Sequence, residues 1–524
     1  YTGWYTLSLH DALPIFWMVE GMAEYMSLGR VDPFTSMWMR DAIINDAVPT
    51  IKQMENPKYF PYRYGQAFWS VITGTYGDQY IKPYFKGTAI YGLEFATQAI
   101  FEMSTENLSN IWINGLKNHF NPYLRDKVEK PQGKRIFDSK EAGELNVSPS
   151  ISPNGRYIVF LSERDLFSTD LYLGDIREGK ILNKVSSLIK DGDLDHLNFL
   201  ESSGTWSPNG KDFAFVAFKQ GKNVLVVKDA DEGKTTATIE IPGIDAIASP
   251  AWSPDNKTVV FCGMVEGQPD LFSYNFKTKR VEQLTNDQFS EILPNFNDEG
   301  TKLTFCYDKK TMTEGRINGH ITYDIAVMDM ADKSIEILDV FHGSENLNPS
   351  FDFEGNIYFV SERDGFRNLY RYITATGEVF QMTDLLTGIS GISRYSPMIS
   401  VSTKRDKVVY THYIKNHYEL YEASTTNLLN KPVENPKSIN QIAGTLPVIN
   451  QETIDVVNKN LRARDIYNFE NPASFTIAPY RPKFKLDYIG GGTGVGVGNN
   501  TFGTSTGLQG GIDMLLGDIL GNNQ

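Results

Sequence analysis

One phrase returns six times between residues 147 and 438: a proline-led strand, a turn of Pro, Asn, Asp and Gly, then a strongly β-prone strand. Its copies are SPSISPNGRYIVFLSE, SGTWSPNGKDFAFVAF, SPAWSPDNKTVVFCGM, LPNFNDEGTKLTFCYD, NPSFDFEGNIYFVSER and SPMISVSTKRDKVVYTH. Each precedes a second β-prone run (DLYLGDI, NVLVVKD, DLFSYNF, DIAVMDM, NLYRYIT, YELYEAS). At least the first five then close with a further short strand, as in KTKRVEQLT. A period of roughly 45 to 55 residues suits the blades of a β-propeller. One four-stranded unit cannot bury both faces of its sheet, whereas a ring of them covers each face with a neighbour and leaves short edges. Six units close a ring.

The flanks have a different texture. Residues 16–124 read as helical: FWMVEGMAEYMSLGR, YRYGQAFWSVITGTYG and TAIYGLEFATQAIFEM carry apolar residues at helical spacing, and Gly or Pro marks several ends. Residues 125–146, charged and poor in large apolar side chains, read as a linker. After residue 438 the repeat stops, 439–480 read as a second linker, and 481–524 become Gly-rich. There RPKFKLDYI alternates strictly, with Phe484, Leu486 and Tyr488 on one face and Lys483, Lys485 and Asp487 on the other. The expected architecture is therefore multidomain, α plus all-β: a helical domain, a six-bladed β-propeller and a short Gly-rich β tail.

Three stretches carry resemblances. The S-P-x-[WF]-S-P-[ND]-G repeat resembles the TolB-type, WD-repeat-like propellers of bacterial envelope proteins, over about 300 residues. It implies a funnel and loops that bind protein or peptide. WMVEGMAEY is similar to the W-x-x-E-G-x-A-x-Y stretch of gluzincin (peptidase MA-like) metallopeptidases, matching at Trp17, Glu20, Gly21, Ala23 and Tyr25. That resemblance makes Glu20 the candidate third zinc ligand and Glu24, one turn on, a possible supporting residue behind it. Two imidazoles and a carboxylate leave zinc a fourth position for water, whose pKa the metal lowers. Tyr62 and Tyr64, in YFPYRYGQAFW, are candidates to donate to an oxyanion, with aromatic packing as their plainer role. The tail resembles the opening strands of the surface-antigen type of outer-membrane barrel, whose strands alternate over about ten residues.

The chain's own residues limit the enzyme reading. Its histidines, His10, His119, His196, His320, His342, His412 and His417, form no H-E-x-x-H. Residues 6–15, TLSLHDALPI, match one reading frame of a common sequencing adapter, so 1–15 are expected to be a scar and 16–124 a fragment of the peptidase-like domain. The scar falls where the two zinc imidazoles of the resemblance would lie. Zinc is thus expected in an intact parent, and no catalysis from this chain. A serine-hydrolase elbow at GTSTG around Ser505 is rejected, since no His follows it and its flanks are not strand-turn-helix. GGGTGVGVG lacks the G-K-[ST] of a phosphate loop, and KDGDLDHLNF lacks EF-hand spacing. Cys262 and Cys306, each after a Phe in adjacent repeats, read as buried hydrophobes. A formal charge of −14 without a basic stripe argues against a nucleic-acid partner.

The expected function is a cell-envelope protein held at the outer membrane by its barrel, in which an incomplete zinc metallopeptidase-like domain is coupled to a propeller that binds protein or peptide. The alternative is a non-catalytic propeller scaffold for protein–protein interaction.

Overall fold

The computed structural model describes residues 9–125, 127–165, 168–187, 191, 194, 196–197, 204–450, 452–463, 485–500 and 503–517, with backbone alone at 9–15, 196, 485–500 and 503–517. The chain divides into two compact units, Tyr1–Ile466 and Tyr467–Gln524.

The repeats fold as six antiparallel sheets. The innermost strands are Asn146–Ile151, Thr205–Trp206, Ala246–Trp252, Glu291–Phe296, Asn346–Phe351 and Ile399–Val401. Each touches the next, and the sixth touches the first, so the ring closes. The seam is stitched by Lys134–Arg135, which lies inside the segment read as a linker. It pairs with His417–Ala423 as the outer strand of the sixth blade, with Lys134 opposite Glu422 and Arg135 opposite Tyr421. Phe137 then stacks on Phe160 of the first blade at 4.9 Å. One blade thus takes strands from both ends of the repeat array, which ties the ring against opening.

The recurring Ser-Pro-Asn-Gly has a local cause. At Ser152–Gly155, the Asn154 carboxamide oxygen accepts from Arg156 N at 3.0 Å, and the Ser152 hydroxyl accepts from Tyr157 N at 2.9 Å. At Ser207–Gly210 the same bonds join Asn209 to Lys211 N and Ser207 to Asp212 N. Gly155 and Gly210 sit at φ +71° and +70°, the left-handed region that a Cβ disfavours. In the third blade Asn256 takes that conformation at φ +59°; Asn is among the few residues that tolerate it.

A second repeated device is a bulge. Ser148, Ser249, Leu293 and Asn348, each directly before a proline, have φ between +49° and +57°, and the strand register shifts at each point. The inner edge of each innermost strand carries backbone donors without a ladder partner, and side chains of neighbouring blades satisfy several of them. Ser400 accepts from Ile151 N, Thr205 from Trp252 N, and Asn295 from Phe351 N, at 3.0–3.1 Å.

The N-terminal region is helical as the apolar spacing predicts: α1 (Leu9–Leu28), α2 (Pro33–Ile44), α3 (Pro61–Tyr76), α4 (Ile81–Tyr91), α5 (Leu93–Phe101) and α6 (Thr105–Leu124). α1 and α3 cross at Gly21 and Gly65. A Cβ on Gly21 would lie 2.2 Å from the Gly65 backbone, so the glycine of the E-G pair serves close helix packing. Trp17, Phe68, Trp69 and Trp112 fill the core behind that crossing.

α2 joins the two halves of the first unit. Asp32 caps it, accepting from Phe34 N and Thr35 N, and residues 33–42 are buried throughout. The Arg40 guanidinium donates to the carbonyls of Leu386, Gly365, Ala443 and Thr387 at 2.7–3.2 Å. The Asp41 carboxylate accepts from Lys415 N and Asn416 N at 2.6 and 2.9 Å. Helix and ring are thus locked by donors and acceptors that would otherwise be buried unpaired. The segment after the last blade returns to the helices: Leu446 N donates to Arg30 O, and Val457 N, in the short helix Val456–Arg462, to Asp78.

The second unit is an antiparallel hairpin of Lys485–Asn500 with Gly503–Gly517, shifted once between Leu486 and Tyr488. Phe484, on the alternating face expected of this tail, lies outside the described residues, as do residues 1–8 of the expected scar; residues 9–15 continue α1. Most of KDGDLDHLNF also lies outside them. Among the described residues, no helix is long and apolar enough to cross a membrane.

Candidate functional site

Glu20 and Glu24 lie on one face of α1, as their spacing requires, against the start of α3. Glu24 is ion-paired with Arg63 at 2.7 Å. Glu20 is half-buried beside Tyr62, and burial together with the Glu20 carboxylate pushes the Tyr62 phenol up. Tyr64 points into the core, 4% exposed, with its ring edge-on to Tyr59 at 5.2 Å; burial raises its phenol strongly. The zinc centre implied by the peptidase resemblance does not fit this arrangement. Among the described residues, Glu20 is not joined within ligand distance by two further His, Cys, Asp or Glu side chains. Its neighbour Glu24 already holds a guanidinium. The His119 ring nitrogen bonds the Thr445 carbonyl at 2.6 Å. No catalytic step is assigned to α1.

The two ends of the ring offer different chemistry. Where the innermost strands run into their Ser-Pro-Asn-Gly turns, a cleft of about 190 Å³ is lined by Pro149, Trp206, Pro250, Pro294, Pro349 and Pro397, one residue from each blade. Its rim includes Pro153, Pro208, Trp252, Pro254 and Asn297. Thr403 donates to Asp298 at 3.3 Å, which links the turns of the fourth and sixth blades and narrows the mouth. The lining is mixed and fixed: the prolines and Trp206 stand among Thr205, Asn295, Asn348 and Ser400, so that polar surface outweighs apolar, and Trp206 is held by its indole N–H on the Ser150 carbonyl at 2.9 Å.

The opposite end, where the innermost strands begin, is charged and individual. Asp32, fully buried, is paired with Arg394 and lies 3.5 Å from Arg63. Burial alone would raise its carboxyl, but Arg394 and Arg63 hold it well below the usual range. Glu362 pairs with Arg367 and lies 4.0 Å from Arg394. Glu345 accepts from Tyr323 N and the Tyr395 hydroxyl, both at 3.2 Å. Burial, reinforced by Glu362, pushes Glu345 up to about 7. The Phe34 ring, from α2, meets the guanidiniums of Arg63, Arg367 and Arg394 at 5.1–5.9 Å. A polar interior of this kind holds α2 in one register against the ring.

Between the third and fourth blades, at this same end, stand Asp270, Asp287 and Glu291, with one oxygen of each within 4.8 Å of the others. Burial, then Asp287 and Asp270, push Glu291 up to about 9. Sequence reading passed over both charged clusters, because propeller periodicity averages away what differs between blades. A signal was there: aligned on the proline of the innermost strand, Glu291 occupies the position of Asn146 and Asn346. Both cysteines are buried and neither forms a disulfide.

Residues 197–314 match the family model described as the TolB beta propeller domain, and with the sheet order this makes the ring a TolB-type six-bladed propeller. Among curated proteins, an uncharacterized protein of Agrobacterium fabrum is 25% identical over 249 residues, 41% of this chain and 83% of that protein. The Tol-Pal system protein TolB of Ruthia magnifica is 30% identical over 139 residues, 25% of this chain. The chain spans about a third of that relative's length, 32%. Among solved structures, TolB from Acinetobacter baumannii aligns at 18% identity with a TM-score of 0.39, covering 65% of this chain and 73% of that one. A putative TolB from Agrobacterium tumefaciens aligns with the same identity and TM-score over 54% and 91%.

Proposed function

We propose that this chain is a bacterial cell-envelope protein whose propeller binds an extended polypeptide at the proline-lined mouth, with the helical domain fixed at the charged end as a non-catalytic partner of the ring. The observation that carries the reading is the convergence of one apolar residue from each blade on a small, preformed cleft. Its volume of about 190 Å³ is below the roughly 300–1,000 Å³ of sites that enclose drug-sized molecules. It suits a few side chains of an extended segment, whose ordering is offset by the rigidity of the receiving surface. The envelope location rests on the likeness to the Tol-Pal system protein TolB of Ruthia magnifica. The hairpin of 16 and 15 residues is longer than the 9–11 residues a barrel strand needs to span a bilayer, which supports tethering at the outer membrane.

Panning a random peptide library on the intact chain tests the binding. Recovered peptides are expected to lose at least tenfold in affinity on Trp252→Ala, with circular dichroism unchanged. Peptides indifferent to Trp252→Ala would contradict the mouth as the site. The kinship of α1 with zinc peptidases is a separate proposal about ancestry, and no casein hydrolysis is expected from this chain. Zinc-dependent cleavage lost in Glu20→Gln would overturn the non-catalytic reading.

A further inference from the structure

We infer that Asp270, Asp287 and Glu291 form a binding site for a hard divalent cation, calcium by size and ligand type, that staples the third blade to the fourth. Asp270 belongs to the third strand of blade three, Gln268–Asn275; Asp287 lies in the connection to blade four; Glu291 opens that blade's innermost strand. The three carboxylates therefore come from both sides of one blade junction.

Glu291 is the decisive residue. It is fully buried, and neither carboxylate oxygen has a partner within hydrogen-bond distance; the Thr285 hydroxyl, which accepts from Leu271 N at 2.8 Å, eases its charge by less than Asp287 and Asp270 oppose it. The equivalent Asn346 donates its amide to the carbonyls of Val340, Phe341 and Ser344 at 3.1–3.4 Å, and Asn146 to those of Gly143 and Tyr418. A carboxylate has no proton to give such carbonyls when ionised, so replacing Asn by Glu at this register removes the structural role. What it adds is two buried acceptors aimed at two more acids.

Among the described residues, no Lys or Arg forms an ion pair with Asp270, Asp287 or Glu291; Lys309 lies over the rings of Phe289 and Tyr307 instead. Asp308 stands nearby and accepts from Ser290 N at 2.8 Å. Tyr307 donates to Asp287 at 2.6 Å, and Gln283 to Asp270 at 3.2 Å. Asp287 N also donates to Asp270 at 3.4 Å and Phe289 N to Asp287 at 2.8 Å. These bonds hold the two carboxylates in place, with one oxygen of each within 4.8 Å of Glu291. An unpaired buried carboxylate among like charges is strongly unfavourable, and a divalent ion removes the penalty for all three.

The donor set selects the ion. All three ligands are hard oxygens, with no imidazole or thiolate, which favours Ca²⁺ or Mg²⁺ over zinc or copper. Calcium–oxygen distances of about 2.3–2.6 Å allow ligand oxygens on one ion to stand up to roughly 4.6–5.2 Å apart, and the three oxygens here, within 4.8 Å of one another, fall inside that reach. Magnesium, at about 2.0–2.1 Å, demands a tighter octahedron. Asp287 is only half-buried, so water can complete the shell from that side.

Isothermal titration of the metal-stripped chain with CaCl2 at pH 7.5 tests the site. One binding event per chain is expected from this junction, at least tenfold weaker with MgCl2, and lost in Glu291→Gln. Asp287→Asn, nearer the surface, is expected to weaken it at least tenfold while leaving the fold intact. Calcium is also expected to raise the Tm of the wild type and not that of Glu291→Gln, whose Tm without metal equals or exceeds the wild-type value in EGTA. Absence of calcium binding by the wild type, or binding unchanged in both variants, would overturn the site and leave a proton as the neutralising group.

Discussion

The two ends of this propeller are made by different rules. At the mouth, successive blades repeat the same local solution: a serine and an asparagine close the turn, a left-handed residue completes it, and a bulge before proline sets the lining. At the other end the blades diverge. Asn146 and Asn346 hold carbonyls, Glu291 faces acids, and Arg394 reaches across to Asp32 on the helical domain. One end is a scaffold repeated by strand geometry, while the other is where the ring acquires a fixed neighbour and a charge pattern of its own. Substitutions at the charged end should therefore act globally and depend on pH, and those at the mouth should act locally.

The largest expected effect is at the junction with α2. Arg394→Met leaves Asp32 buried with Arg63 alone, and breaking a buried pair of this kind destabilises by about 3–5 kcal/mol. Urea unfolding should show that loss, and a loss below about 1 kcal/mol would mean the junction is not held by this pair. Next comes Glu345, whose carboxyl is pushed up to about 7 by burial and by Glu362. A raised acid favours the folded state fully below its unfolded pKa, and that contribution disappears as pH rises through the folded value. Stability should thus fall by about 3 kcal/mol between roughly pH 4.5 and 7. In Glu345→Gln that part of the slope should vanish; an identical slope would assign it elsewhere. The mouth should respond far less. Gly210→Ala places a Cβ at φ +70° with no atom nearer than 3.9 Å, so only backbone strain acts, about 1 kcal/mol. Smallest is Asn256→Gly in the third blade, expected within about 0.5 kcal/mol of the wild type by the same unfolding measurement.

What the sequence shows follows from the same division. Six copies of the proline-led turn are legible because each solves its turn with its own residues. The helical spacing of residues 16–124 is legible because an amphipathic face needs only its own stretch of chain. Lys134–Arg135 is not: two residues in a charged stretch have no strand signal, and their pairing with Glu422 and Tyr421 depends on ring closure. The reading of Glu20 and Glu24 as one helical face agrees with their placement, but nothing local announces that Arg63 takes Glu24 or that Gly21 meets Gly65. Asp32, Arg394 and Glu362, which fix the helical domain, lie up to 362 residues apart. They become a site only after folding.

Hydrogen–deuterium exchange of the intact chain, with and without a saturating peptide recovered by panning, tests the central claim most directly. The account predicts slowed exchange in the innermost-strand turns at residues 152–157, 207–212, 253–258 and 297–302, with residues 343–346 and 391–396 unchanged. Protection confined to the latter two segments would place the ligand at the charged end and contradict the assignment of the mouth as the binding surface.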